Sequence, residues 1–306
     1  MVEDISKIIS NGFGTYTKNL NICVPFVLDF ILSFSLAMIM IVLAFAFIMG
    51  SSISDLENAK TPEAIAALFY PLISQHIMEI ALLAIIILLV VFFIQAYFLS
   101  GAIGMAIQAN ESGRSSLQMM KDAGKKNFVN MFFAQLLFGL LSLAGIVFIV
   151  PGAMRTDFSQ ILTSENTGNV ALLFGGFFLW IIYLVILGLL LAVFSYALVA
   201  DNLGPLESMG KSVSFFKQNK IDVILLFLTV FFIGIVFVIF DAIIGSIIVN
   251  NFLRESINQF ISLVIIQPLT TILFVRLYMD KTNKKLFVDD LLAHPNDLVD
   301  IGKNNI

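Results

Sequence analysis

Six long apolar runs alternate with seven polar segments along the chain. A run of about 20 apolar residues crosses the ~30 Å hydrocarbon core of a bilayer as a helix. The pattern therefore predicts an all-α, polytopic membrane helix bundle with six transmembrane helices, near 22–49, 78–107, 128–150, 170–199, 221–249 and 257–279. Most of these runs exceed the minimum length, which permits tilt or protruding ends. Residues 1–285 read as one transmembrane domain, and 286–306 as a cytoplasmic tail that becomes polar and acidic after Pro295.

The polar segments carry a second pattern. Before the first, third and fifth runs lies a similar unit, at 5–19, 117–127 and 206–218: a short amphipathic stretch, then Lys and amide residues, then the span. In the last unit Leu206, Met209, Val213 and Phe216 recur at helical spacing, Gly204-Pro205 suits a helix start, and Glu207 falls in the first turn. The predicted membrane face is those four apolar residues, with Lys211, Ser212 and Gln218 toward water. Leu117, Met120 and Phe128 form a weaker copy, and Ile5, Ile8, Ile9 and Phe13 another. The chain thus reads as three parallel hairpin repeats, each opened by an interfacial helix. Short surface helices are also expected at Thr61-Pro62-Glu63 with Ile65, Leu68 and Phe69, at Thr156-Asp157 with Phe158, and in the tail around Leu291.

Charge orients the bundle. Of 17 Lys and Arg residues, 14 fall on alternate segments, and only Lys60, Arg155 and Arg254 fall on the others. Because Lys and Arg stay on the cytoplasmic side, both termini are expected inside, in a cytoplasmic membrane. Asn110-Glu111-Ser112 matches a glycosylation acceptor, but on that orientation it lies on the wrong side of the membrane. The first apolar run is too long for a signal-peptide core and is read as a retained span.

Composition narrows the function. Hydrophobic residues make up 59% of the chain and charged residues 12%, against about 25% charged in soluble domains, which leaves no room for a soluble catalytic domain. The single Cys23 and the isolated His76 and His294 give no metal-ligand spacing. Phosphate loops, paired catalytic carboxylates and nucleophile elbows are absent from the sequence. Neither enzymatic activity nor a cofactor is expected, and nothing points to nucleic acid.

The candidate residues are polar groups inside spans, where charge is expensive. Asp29 lies roughly 10 Å into the first span, and Arg276 near the inner end of the sixth, so an Asp29–Arg276 pair is expected to clamp first span to last. Asp241 falls near the outer interface. Gln95 and the Gln267-Pro268 pair add polar groups that bond neighbouring helices or line a path, and Pro268 removes a backbone donor from the sixth span. At the inner face Lys18, Lys125, Lys126, Lys211, Lys217 and Lys220 are candidate contacts for anionic lipid headgroups.

The stretch Ala200-Asp201-Asn202-Leu203-Gly204-Pro205-Leu206-Glu207-Ser208-Met209-Gly210-Lys211-Ser212, followed by Phe216-Lys217-Gln218-Asn219, resembles the inner-loop signature of a prokaryotic group of six-span membrane proteins. That group includes the membrane domain attached to some glycerophosphoryl diester phosphodiesterases. The resemblance implies architecture only, because the metal-binding hydrolase barrel of the bifunctional members has no counterpart here. Two functions fit: a non-enzymatic module that organises lipid or a protein partner, and, as the alternative, a small permease for a lipidic or small solute.

Orientation is testable directly. On a Cys23-free background, a membrane-impermeant thiol reagent added outside should label cysteines placed at Glu57 and Glu165 and miss those placed at Lys125 and Lys217. The opposite preference would invert the topology.

Overall fold

A computed structural model describes residues 3–49, 61, 70, 71, 73–155, 167–248 and 250–287. The expected surface helices at Thr61–Phe69, Thr156–Leu162 and the tail around Leu291 lie outside these residues, except Thr61. Among the described residues there are helices and no strands. Helix α1 (Ile5–Lys18) leads through a 3₁₀ turn to α2 (Val24–Met49), then α3 (Ile77–Ser112) and α4 (Leu117–Ala144). After a second 3₁₀ turn come the short α5 (Val150–Ala153), α6 (Thr167–Leu190), α7 (Phe194–Asp201), α8 (Pro205–Gln218), α9 (Lys220–Ile247) and α10 (Asn251–Ile261). A π-helical turn at Ser262–Ile266 then opens into α11 (Gln267–Lys281). Among the described residues six helical segments are long and apolar enough to cross a membrane, ending with 251–281, so the molecule is a multi-pass helix bundle.

The repeat is written into the backbone. The amides of Asn19, Asn127 and Asn219, each just after a unit's lysine or amide pair, donate to the carbonyl four residues back, on Thr15, Ala123 and Phe215 (2.9, 3.0 and 3.1 Å). Where the returning span of each hairpin ends, one residue enters the left-handed region: Gly113, Asn202 and Asn283. Glycine and asparagine tolerate that conformation best, and it lets the chain leave the helix sharply. The middle repeat departs from the expected plan. Its surface segment and its span are fused into the single 28-residue α4, with Lys125 and Lys126 inside it.

Packing is concentrated at the end of the bundle that carries α1 and α8. In α3, the residues up to Gln95 are largely exposed, whereas Ala96, Ala102, Ile103, Met105, Ala106 and Ala109 are buried. At 36 residues α3 is about 54 Å long, well beyond the hydrocarbon core, so its small-residue end packs inside protein rather than lipid. Gly101 and Gly104 let α4 approach: a Cβ on Gly104 would overlap that of Ala123. The final span is the hub, with 56% of its apolar stretch buried against at most 17% in any other span.

Helix α1 packs along that hub, antiparallel to it. Glu3 meets Arg276, a Cβ on Gly12 would strike the Leu273 side chain, and Tyr16 reaches Val264. The spacing agrees, since 3 to 16 and 264 to 276 both rise about 20 Å in a helix. Its buried face is Ile8, Gly12 and Tyr16, so of the expected apolar stripe of Ile5, Ile8, Ile9 and Phe13 it is Ile8 that packs into the bundle, while Phe13 is exposed. Helix α8 forms at the expected place, but its buried face is Ser208, Met209, Ser212 and Phe215, with Leu206 exposed. Ser212 turns inward because the fourth span breaks beneath it. Its hydroxyl donates to the Leu190 carbonyl (3.0 Å) and accepts from the Val193 amide (3.2 Å), groups freed where α6 ends and α7 begins.

Because the α3–α4 contact has no space for a side chain at Gly104, Gly104→Val should destabilise the bundle by about 1–3 kcal/mol or more. Gly175→Ala, with open space around its Cβ, should be close to neutral. Thermal unfolding in one detergent gives the comparison.

Candidate functional site

The buried charged groups among the described residues, Arg276 and Asp280, lie at the packed end, on α11. Arg276 is 1% exposed, and an unpaired charge buried to that degree is not tolerated. Its Nε donates to Glu3 Oε2 at 2.8 Å, Nη2 to Glu3 Oε1, and Nη1 to Asn110 Oδ1 at 3.3 Å. This fork-to-fork geometry matches guanidinium to carboxylate with two parallel bonds. Asn11 of α1 adds a donor to Glu3 Oε1 at 2.9 Å. Burial would raise the Glu3 pKa, but the Arg276 bonds and charge, with Asn11 and Lys7, outweigh it and hold the carboxyl below its ordinary 4.5.

The network extends along the same helix. Asp280 accepts from the Glu3 amide (2.9 Å), and Lys281 reaches the Glu3 carbonyl (3.3 Å) and Asp222 at the base of α9 (3.1 Å). One turn away, Tyr278 donates to Asp201 Oδ2, and Lys284 pairs with Asp201 Oδ1 at 2.6 Å while donating to the Ala200 carbonyl. The chain beyond Lys284 crosses to α3, where the Phe287 amide donates to the Asn110 carbonyl (2.6 Å). A separate stitch joins the first two repeats. The side chain of Asn19 accepts from the Ser115 amide (2.7 Å), and Asn21 exchanges bonds with Ser115 on both its side chain and its carbonyl.

The expected Asp29–Arg276 clamp is replaced by Glu3–Arg276. Asp29 instead accepts from Ser33 one turn along its own helix (3.1 Å). Arg276 sits at the level of the N-terminal segment, where Glu3 can present both oxygens. Asp241 lies at the other end of the bundle, 3.4 Å from Arg254 Nε and bonded by Asn258. Gln95 is exposed on α3, and the Gln267 side-chain amide donates to the Ser262 hydroxyl at 3.4 Å. These four do not come together with one another or with Arg276. The headgroup candidates Lys18, Lys125, Lys126, Lys211, Lys217 and Lys220 are all exposed. Glu3, Asn11, Asn110, Asp201, Tyr278, Lys281 and Lys284 escaped the sequence reading. The one signal for them was that a cation so deep in the last span requires a carboxylate at its own level.

Arg276, Lys281 and Lys284 are each paired with a carboxylate, so this arrangement ties helices together. Among the described residues no three His, Cys, Asp or Glu side chains are grouped to hold a metal ion. Cations open to a ligand lie on the surface, and among them Lys121, Lys125, Lys126, Lys217 and Lys220 are exposed and form no ion pair with a described residue.

Fold and site together define an all-α polytopic membrane protein built of hairpin repeats around a buried ionic network. Residues 65–276 match the family described as a domain of unknown function, DUF7847, and the chain belongs to that family. No curated protein and no solved structure matches it.

Breaking the network should be costly. Glu3→Ala strands Arg276 and is expected to destabilise by about 3–5 kcal/mol, while Glu3→Ala with Arg276→Leu should recover much of the loss. Since folding depresses the Glu3 pKa, its contribution is full above 4.5 and lost as pH falls through the depressed value. Unfolding followed from neutral to acid pH should therefore show a loss that Glu3→Gln does not share.

Proposed function

We propose that this protein is a non-enzymatic module of the cytoplasmic membrane that gathers anionic lipid at its inner face, with both termini in the cytoplasm. The observation that carries the reading is the division among its cations. Arg276, which is buried, and Lys281 and Lys284, which are part-buried, have carboxylate partners, whereas Lys121, Lys125, Lys126, Lys217 and Lys220 are exposed without any among the described residues. They lie on α4, α8 and the start of α9, at the end where the charge bias puts the cytoplasm. Basic surfaces at that level attract phosphatidylglycerol-like and similar anionic headgroups.

One observation favours the second reading, a permease for a lipidic or small solute. The fourth span breaks between α6 and α7, and the sixth at Ser262–Ile266, and interrupted helices are a feature of transporters. Against it, the groups freed at the fourth break are taken up by Ser212, and Asp29, Asp241, Gln95 and Gln267 each bond a different neighbourhood or none.

Spin-labelled phosphatidylglycerol and phosphatidylcholine, compared in vesicles containing the protein, decide between them. Severalfold preference for phosphatidylglycerol in the motionally restricted fraction is expected, lost at high salt and in a variant with all five lysines changed to Gln. Equal restriction of both lipids, unchanged by the variant, would reject lipid gathering.

A further inference from the structure

The sixth span is articulated. A π-helical turn at Ser262–Ile266 runs directly into Pro268, and such turns, like proline, mark places where a helix bends. Proline has no N–H, so the carbonyl four residues before it, on Val264, loses its normal helical donor. In this molecule the Tyr16 hydroxyl donates to that carbonyl at 2.9 Å, from a buried position on α1. The same helix is held to the other side of the joint through Glu3 and Arg276. One short helix therefore grips the span above and below Pro268.

We propose that α1 is a strap that sets the bend of the sixth span, and that releasing Tyr16 or Glu3 frees the joint at Ser262–Ile266 to move. The bent and relaxed forms differ in where the half of the span beyond the joint, with α10, points relative to the packed end. Hinges in other proteins are likewise a few residues that absorb a large backbone change. Tyr16 supplies such a replaceable bond, because it is a side-chain donor standing in for a missing backbone one. The inference is independent of the lipid reading.

Amide hydrogen exchange of the whole chain in lipid bilayers, followed by mass spectrometry, tests it. Tyr16→Phe removes one oxygen and keeps the ring, and should speed exchange over 262–269 by about tenfold while leaving 96–110 on α3 unchanged. Glu3→Gln should speed the same segment by releasing the other end of the strap. In a Pro268→Ala background, residue 268 regains an N–H for Val264, and Tyr16→Phe should then have little further effect. The proposal is overturned if Tyr16→Phe leaves 262–269 unchanged or loosens 96–110 equally. It also fails if Glu3→Gln leaves 262–269 protected, or if Tyr16→Phe acts equally with and without the Pro268→Ala change.

Discussion

Burying the guanidinium of Arg276 sets the terms on which this bundle is assembled. Once a permanently charged group is held out of both water and lipid, a carboxylate must be brought to it, and every element that delivers or supports that carboxylate becomes fixed. Glu3 arrives on the segment leading into α1, steadied by Asn11, while Asn110 arrives on α3. The two spans that meet at Arg276 are thereby locked together with the N-terminal helix. The next turn of α11 repeats the solution with Lys281 and Asp222, bringing in α9. In such a network the attraction offsets desolvation only where geometry is close, and the paired bonds between Glu3 and Arg276 supply that geometry.

Around that network the molecule divides into two halves with different solvents. At the packed end small residues on α3 admit α4 to near backbone contact, and α11 is enclosed on all sides. Toward the other end, large apolar side chains such as Leu43, Leu82, Phe178 and Phe232 face outward. Hydrocarbon solvates these as well as protein would, so there is no hydrophobic drive to bring the outer helices together, and close packing must come from shape and polar contacts. The Asp241–Arg254–Asn258 group provides one such contact, between α9 and α10.

How much of this was legible in the sequence follows from where each constraint is written. Span number was readable because the bilayer fixes a length and each run exceeds it. The repeat was readable in the lysine–amide pairs, and the left-handed residues Asn202 and Asn283 give its other end. The fusion of α4 was hidden, because a helix that projects beyond the hydrocarbon carries Lys125 and Lys126 without interruption. The face of α8 was hidden for a different reason: helical periodicity identifies an apolar stripe, but Ser212 is drawn inward by a break in another helix. The partner of Arg276 depended on the path of α1, and depth along the span pointed to Asp29 while the antiparallel course of α1 brought Glu3.

The bond between Glu3 and Arg276 joins residues 273 apart, and this separation bears on how the molecule is made. A ribosome delivers Glu3 first and Arg276 with the last span, so the first helix must wait through the synthesis of everything between. Until then Ile8, Gly12 and Tyr16 have no α11 to cover them. Closing so long a loop is entropically slow compared with pairing neighbouring hairpins. The arrival of the sixth span is therefore the step that converts a row of inserted hairpins into a single closed body.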